Sequence, residues 1–163
     1  MAGYNVQTPP LFTVRDPQVL VGFNLATLNA TISTPSGNTV VNSANNATLL
    51  ADALLGGLIV RTGAGGNRDD TTDSAANIID AIKLELLGLA NKVNLPNGTS
   101  VECTYTNNTD YLMQIVGGDN VDVCYPNYVE SGCTVKLNIV VVDQESLGGV
   151  DTVKIAVCGG YED

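Results

Sequence analysis

Residues 54–82 read LLGGLIVRTGAGGNRDDTTDSAANIIDAI, and this stretch decides the fold class. An apolar run at 58–60 is typical of a buried strand, and glycines at 63, 65 and 66 predict a turn after it, because glycine adopts positive φ without strain. The residues at 72–74 are good N-caps for a helix over about residues 73–91. Four apolar residues lie on one face of that helix: Ala75, Ile78, Ile79 and Ile82. We expect four side chains to hold the helix to the sheet: Leu58, Ile59, Ile78 and Ile82.

The glycine turn matches a nucleotide-binding loop only in outline. The sequence GAGGNR places Arg68 where the third glycine of G-x-G-x-x-G belongs, and no G-K-[ST] follows. Asp69, Asp70 and Asp73 put negative charge at the start of the predicted helix, where it would repel a phosphate. The same aspartates could gather Ca²⁺, but their spacing does not match a calcium loop and helix capping accounts for them. We therefore expect capping here, with no bound cofactor or metal.

The composition narrows the possible functions of the chain. Its 163 residues suit one domain, and 17 acids against 7 bases give a formal net charge of −10. Nucleic acid and anionic membranes are unlikely partners by charge, because phosphate binding needs a basic surface. Histidine is absent, which excludes Ser–His–Asp and Cys–His catalysis. The sequence therefore predicts a protein that is not an enzyme.

Four cysteines lie in or beside predicted strands: Cys103, Cys124, Cys133 and Cys158. None forms C-x-x-C, and no histidine is present to complete a mixed zinc site. They are either buried free thiols or partners in one or two disulfides, and the spacing leaves both open. The chain opens without a secretory signal and contains no apolar run near the ~18 residues of a membrane span. We expect synthesis inside the cell, with reduced thiols.

Residues 1–19 are predicted to form an extended N-terminal arm. Prolines at 9, 10 and 17 keep this segment out of the centre of a sheet, because proline lacks a donor. Three apolar residues between polar ones are its expected anchors on a neighbouring chain or on its own domain: Leu11, Phe12 and Val14. The rest of the chain, residues 20–163, is expected to form one β-rich domain.

Period-two alternation predicts strands in the C-terminal half. VECTYTN at 101–107 and DYLMQIVGG at 110–118 are predicted to form a β-hairpin, and 126–132 a loop. Clear strands follow at TVKLNIVVVD, 134–143, and VDTVKIAVC, 150–158. Upstream, residues 45–57 are expected to start helical and to end at the Gly56-Gly57 pair. The fold class predicted from this pattern is mainly β: a single-domain antiparallel β-sandwich or barrel, jelly-roll-like, with one amphipathic α-helix.

Arg61 and Arg68 bracket the glycine turn. One interpretation is a structural ion pair with one of the three nearby aspartates. The other places Arg61 at a subunit contact, because arginine is enriched at interfaces. The sequence alone leaves both open, and Arg61 joins the arm residues as a candidate interface residue.

Two stretches together resemble a known family. The first is Gly57-Leu-Ile-Val-Arg61, a glycine-rich turn, an Asp and the helix Ala75-Ala-x-Ile-x-x-Ala-Ile82. The second is a β domain with VECTYTNNTD, TVKLNIVVVD and VDTVKIAV. This combination resembles the small virion structural proteins of large DNA viruses and some tailed phages, over about residues 55–158. The family's usual proline before the helix is replaced here by Thr-Asp-Ser.

The resemblance implies a non-enzymatic minor capsid or decoration protein, made in the host cytoplasm and carried in the virion. It implies a homotrimer that contacts the major capsid protein or other coat subunits, with no direct nucleic-acid or membrane partner. Two other classes stay open. A binding module of a pilus or other cell-surface appendage predicts export and oxidised cysteines. An acidic carbohydrate-active or metal-dependent enzyme predicts a concave site with paired carboxylates.

Overall fold

The computed structural model of the chain describes residues 37–86, 95–144 and 148–159. These residues are mainly β, as predicted, with few helices. The strands in chain order are β1 (Gly37–Asn42), β2 (Ala47–Leu49), β3 (Gly57–Thr62), β4 (Arg68–Thr72), β5 (Ser100–Asn107), β6 (Met113–Val116), β7 (Val121–Val123), β8 (Tyr128–Val129), β9 (Thr134–Asp143) and β10 (Thr152–Cys158). The helices are α1 (Ala51–Leu55) and α2 (Ala75–Ala81), and a π-helical turn, Ile82–Leu86, continues α2. The predicted arm, 1–19, lies outside the described residues.

Ten strands form two mixed sheets. The first sheet has the order β1-β3-β5-β9-β10-β7, and the second has the order β2-β4-β6-β8. Three of the eight pairs between these strands are antiparallel: β5 with β9, β9 with β10 and β6 with β8. The other five are parallel. The antiparallel arrangement expected from the sequence is therefore wrong for most pairs, and a jelly roll is not confirmed.

Along the chain, three successive pairs of strands each place the first strand in the first sheet and the second strand in the second sheet. Strands at equivalent positions in successive pairs run in the same direction, so they pair in parallel. We call each pair, with its connecting turn, a rung: rung 1 is 37–49, rung 2 is 57–72 and rung 3 is 100–116. Equivalent strands of successive rungs lie side by side, as in the register Thr39 to Ile59 and Ile59 to Tyr105. The predicted hairpin of 101–107 with 110–118 is wrong, because β5 and β6 belong to different sheets. The predicted loop 126–132 contains the short strand β8.

One buried cluster receives side chains from both sheets and both helices. Ile59, Ile78 and Ile82 are buried in it, as expected from the apolar face of the helix. Leu58 is only half-buried, and the alternation along β3 turns it to the opposite face of the sheet from Ile59. The expectation that Leu58 holds the helix is therefore wrong, since a strand buries one parity of residues against one side.

The start of α2 follows the predicted capping. The Ser74 hydroxyl accepts a hydrogen bond from the Asn77 amide, as an N-cap residue does. Asp69 and Asp70 lie in β4 rather than at the helix start, so only Asp73 is close enough to act there. The predicted helical segment 45–57 is in part strand β2, and α1 begins at Ala51 and ends before Gly56. No helix among the described residues is long and apolar enough to span a membrane.

Candidate functional site

A buried ion pair connects the two sheets within rung 2. Arg61 lies at the end of β3 in the first sheet, and Asp70 lies in β4 of the second sheet. The Arg61 Nε atom donates to both carboxylate oxygens of Asp70, at 2.9 and 3.1 Å. Both side chains have no exposed surface. The glycine-rich turn lies between these two strands and not between a strand and a helix, so it lacks the setting of a nucleotide-binding loop.

The rest of the Arg61 guanidinium binds the turn of the neighbouring rung. Its Nη1 atom donates to the carbonyl oxygens of Ser43 and Thr62, each at 2.7 Å, and Nη2 donates to that of Asn45 at 2.6 Å. Arg68 adds a bond from Nε to the Ala44 carbonyl at 2.9 Å. Two arginines of rung 2 thus donate to three carbonyl groups of the rung 1 turn, and the Gly65 amide adds a backbone hydrogen bond to one of them, that of Ala44.

Rung 3 completes the ion pair from the other side. The Tyr105 hydroxyl donates to Asp70 Oδ2 at 2.6 Å. Burial raises the pKa of Tyr105 well above its ordinary value, and the charge and hydrogen bond of Asp70 raise it further, while the Arg61 charge opposes this shift. Tyr105 therefore stays protonated and acts as a donor. We call Arg61, Asp70 and Tyr105 the corner cluster.

The Asn107 side chain donates to a carbonyl group of the turn in rung 3, as Arg61 donates to carbonyl groups of the turn in rung 1. Its Nδ2 atom donates to the carbonyl oxygens of Tyr111 at 2.8 Å, and of Val129 and Glu130 at 3.0 Å. Its Oδ1 atom accepts from the Thr109 hydroxyl at 2.7 Å. Asn107 is fully buried and stands beside Arg61 in the β3–β5 register. This role is not predicted from the sequence, because Asn107 ends the predicted strand 101–107 and the alternation of that strand does not indicate the partners of its side chain.

Asp73 connects the two helices. Its carboxylate accepts from the Ala51 amide at the start of α1, and from the Ser74 amide and the Asn77 side chain at the start of α2. Partial burial alone would raise the pKa of Asp73, but these three hydrogen bonds outweigh it and hold the pKa below its ordinary value. The three aspartates of the calcium hypothesis thus have separate surroundings. Among the described residues no cluster of histidine, cysteine, aspartate and glutamate is arranged to hold a metal.

A shallow groove of about 410 Å³ lies between α1 and α2. Leu50 and Leu84, both more than half exposed, lie along it, together with the carboxylates of Asp52, Asp73 and Asp80. The Asp73 carboxylate already accepts hydrogen bonds from the starts of both helices. The groove and the corner cluster are therefore separate, and no solvent-accessible surface of Arg61 or Asp70 opens into the groove.

The four cysteines carry free thiols, but only Cys103 is buried. Burial raises the pKa of Cys103 to about 12, and a backbone hydrogen bond from Gly57 opposes the shift. Cys124 and Cys158 are exposed and Cys133 is intermediate. The free-thiol interpretation fits all four cysteines, whereas burial as a small apolar residue fits one.

The face of the first sheet that points away from the core is here called the outer face. Its side chains are exposed or half-buried, and Val40 on β1 is 62% exposed. Two exposed ion pairs lie on it, Lys136 with Glu102 and Lys154 with Asp122, each at 3.4 Å. The two lysines balance the two acids, so this face is locally neutral although the chain carries −10.

Of the four interface residues predicted from the sequence, the structure describes only Arg61. Arg61 is an ion-pair partner of Asp70, which matches the first of the two interpretations made from the sequence. A side chain with no exposed surface offers no contact atoms to a second subunit in this conformation. The arm anchors at positions 11, 12 and 14 lie outside the described residues, so their role stays a prediction.

Comparison with known proteins provides no relative from which to transfer a function. No protein-family model matches the chain. Searches of curated proteins and of solved structures likewise give no significant match.

Proposed function

We propose that this chain is a non-enzymatic structural subunit of a virion, a minor capsid or decoration component that acts by packing. The proposal rests on the neutral outer face of the first sheet, together with the family resemblance of residues 55–158. Copies of a chain with net charge −10 repel one another over most of their surface. The outer face is where two copies meet with the least like-charge repulsion, because its lysines balance its acids.

The corner cluster favours a structural role over catalysis. Its charged groups are saturated by each other and by backbone carbonyls, and they lie in the core rather than in the groove between the helices. Buried polar networks of this kind position and rigidify the backbone that surrounds them. We infer that the two sheets pack face to face as a sandwich and that this network links one sheet to the other.

The proposed assembly is a homotrimer that also contacts the major capsid protein or other coat subunits. Self-association uses the outer face, and the arm of residues 1–19 adds contacts to a neighbour through Leu11, Phe12 and Val14. Light scattering of the purified chain is expected to give a mass of about 51 kDa, three times 16.9 kDa. Deleting residues 1–19 is expected to weaken the assembly.

A matched pair of substitutions tests the outer face directly. Asn138→Asp adds one negative charge on the outer face, beside Glu102 in the β5–β9 register. Asn108→Asp adds the same charge at an exposed position after β5. We expect Asn138→Asp to raise the dissociation constant about tenfold, which corresponds to about 1.4 kcal/mol, while Asn108→Asp leaves it unchanged. A monomeric wild type, or equal effects of the two variants, would contradict assembly through this face.

The virion location needs a separate test. Mass spectrometry of purified virus particles from an infected host culture is expected to find the chain at a fixed ratio to the major capsid protein. Detection only in cell-surface appendage fractions, with oxidised cysteines, would support the pilus-type binding module instead.

A further inference from the structure

Within the part of the chain that the structure describes, rung 1 lies at one end of each sheet, because β1 pairs there with β3 alone and β2 with β4 alone. The far edges of both strands are therefore adjacent terminal edges, one in each sheet. A strand edge presents backbone donors and acceptors in a row that another strand can pair with. A segment that fits here must supply two short strands joined by a turn, one parallel to β1 and the other parallel to β2.

The chain contains such a segment immediately before rung 1. Residues 20–32, LVGFNLATLNATI, align without a gap with residues 41–53, VNSANNATLLADA. Five of the thirteen aligned positions are identical: Asn24 with Asn45, Ala26 with Ala47, Thr27 with Thr48, Leu28 with Leu49 and Ala30 with Ala51. The shared tripeptide Ala-Thr-Leu forms β2 in rung 1. The same local sequence therefore occurs twice, 21 residues apart, close to the 20 residues between the starts of β1 and β3.

The connecting length fits docking within the same chain. Seven residues, 50–56, connect the end of β2 to the start of β3 and move the chain from rung 1 to rung 2. Eight residues, 29–36, separate the second Ala-Thr-Leu copy from the start of β1. Neighbouring strands are about 4.8 Å apart, so a connection of similar length covers the same step.

We propose that residues 20–32 dock on β1 and β2 of their own chain as a further parallel rung, with Thr27 opposite Thr48. This position follows the register already seen between Thr48 and Thr71 of the next rung. The docked segment covers the edge of β2 and the last two residues of β1, because residues 26–28 align with β2 and residues 20–21 align with Val41 and Asn42. Copies of the chain then cannot add a strand to β2, which leaves other surfaces for association. This inference concerns the strand edges and is independent of the proposed assembly through the outer face.

Disulfide trapping tests the pairing and its register. The double variant Thr27→Cys/Thr48→Cys is made in a chain whose exposed and half-exposed cysteines are replaced, by Cys124→Ser, Cys133→Ser and Cys158→Ser. Cys103 is kept, because it is buried. Under mild oxidation we expect an intrachain disulfide between positions 27 and 48, identified by peptide mass spectrometry. Directly opposed positions on paired strands lie within the reach of a disulfide.

The matched control is Thr27→Cys/Thr71→Cys in the same background. Thr71 lies one strand farther away, about 9.6 Å from the proposed position of Thr27, which exceeds the ~7 Å limit for a disulfide. At least tenfold more cross-linked monomer is expected for the 27/48 pair than for the 27/71 pair. Equal yields, no cross-link, or dimers that link position 27 of one chain to position 48 of another would overturn the proposal.

Hydrogen exchange on the unmodified chain gives a second measurement that does not depend on cysteine replacements. Peptides covering 20–28 are expected to exchange as slowly as peptides covering β2, because both would contain paired backbone amides. Complete exchange of 20–28 within seconds, while β2 stays protected, would overturn the proposal even if the variants do not fold.

Discussion

Arg61 and Asp70 form a fully buried salt bridge that joins the first sheet to the second, with 2.9 Å between Arg61 Nε and Asp70 Oδ2. Removing two charges from water costs several kcal/mol per ion, so such a pair persists only when further hydrogen bonds offset that cost. Here the carbonyls of the rung 1 turn and the Tyr105 hydroxyl provide those bonds. The ion pair and its hydrogen bonds therefore connect all three rungs.

Replacing Arg61 is expected to destabilise the fold strongly. Arg61→Met leaves Asp70 buried without its cation, and we expect a loss of roughly 3–5 kcal/mol in the free energy of unfolding, measured by urea titration. The double variant Arg61→Met/Asp70→Leu is expected to remain destabilised, because the Ser43 carbonyl loses the Arg61 donor and the buried Tyr105 hydroxyl loses its acceptor. Recovery of the double variant to within about 1 kcal/mol of wild type would contradict this account.

The exposed ion pair between Lys136 on β9 and Glu102 on β5 provides the control for the Arg61 replacement. Lys136 and Glu102 are both more than half exposed, so their attraction is screened by water. Lys136→Met is expected to change stability by no more than about 1 kcal/mol.

Asn107 is expected to be the second most sensitive polar position. Asn107→Ala removes a donor to the carbonyls of Tyr111, Val129 and Glu130, although the Thr109 hydroxyl still donates to Tyr111 and the Cys133 amide still donates to Glu130. We expect a loss of about 1–3 kcal/mol in the free energy of unfolding, measured by chemical denaturation, because a buried hydrogen-bonding side chain is removed. Asn108→Ala, at an exposed neighbouring position, is expected to stay within about 0.5 kcal/mol of wild type. Equal effects at 107 and 108 would refute the role of the buried amide.

Cys103 is expected to make the fold sensitive to alkali. Its folded pKa, about 12, lies above the ordinary thiol value of about 8.5, so the unfolded chain loses its proton first as the pH rises. Stability is therefore fully present below about pH 8.5 and falls above it by up to about 1.4 kcal/mol per pH unit. Between pH 8 and 10 this slope is expected to disappear in Cys103→Ala.

The control for the alkaline experiment is Cys124→Ala. Its thiol is exposed in the folded chain, so the replacement is expected to leave the slope in place. The range stops at pH 10 because Tyr105, whose pKa is also raised by burial, contributes a loss of the same sign at higher pH. An unchanged slope in Cys103→Ala would show that another group controls the alkaline transition.

Gly118 lies just after rung 3, where the chain passes close to the backbone at the end of rung 2. A Cβ atom at this position would lie 2.5 Å from the carbonyl oxygen of Thr72 and 2.6 Å from that of Asp73. Gly118→Ala is therefore expected to cost about 1–3 kcal/mol, as overpacking against backbone does, with a lower midpoint of thermal unfolding. Gly65→Ala, where the nearest atom is 3.5 Å away, is the matched control and is expected to be tolerated. Equal midpoints for the two variants would contradict the close approach.

Local signals predicted the elements whose formation depends on neighbouring residues. The apolar run before the glycine turn is β3, the Ser74 cap begins α2, and the two long alternating runs are the antiparallel pair β9 and β10. The same signals assigned β5 and β6 to one hairpin, because alternation and a short turn are also what a hairpin requires. Alternation fixes which face of a strand is buried, but it does not identify the strand beside it.

The sequence by itself determined the β-rich class, the amphipathic helix face and the absence of histidine chemistry, because these follow from composition and short-range periodicity. Only the tertiary structure decided that successive strands alternate between two sheets, and that Asp70 meets both Arg61 and Tyr105 while the Asn107 side chain binds carbonyl groups of its own turn. The contact between Asp70 and Tyr105, for example, joins residues 35 positions apart. Such contacts form because buried charges and carbonyls must find partners once the rungs stack, a requirement that no local pattern encodes.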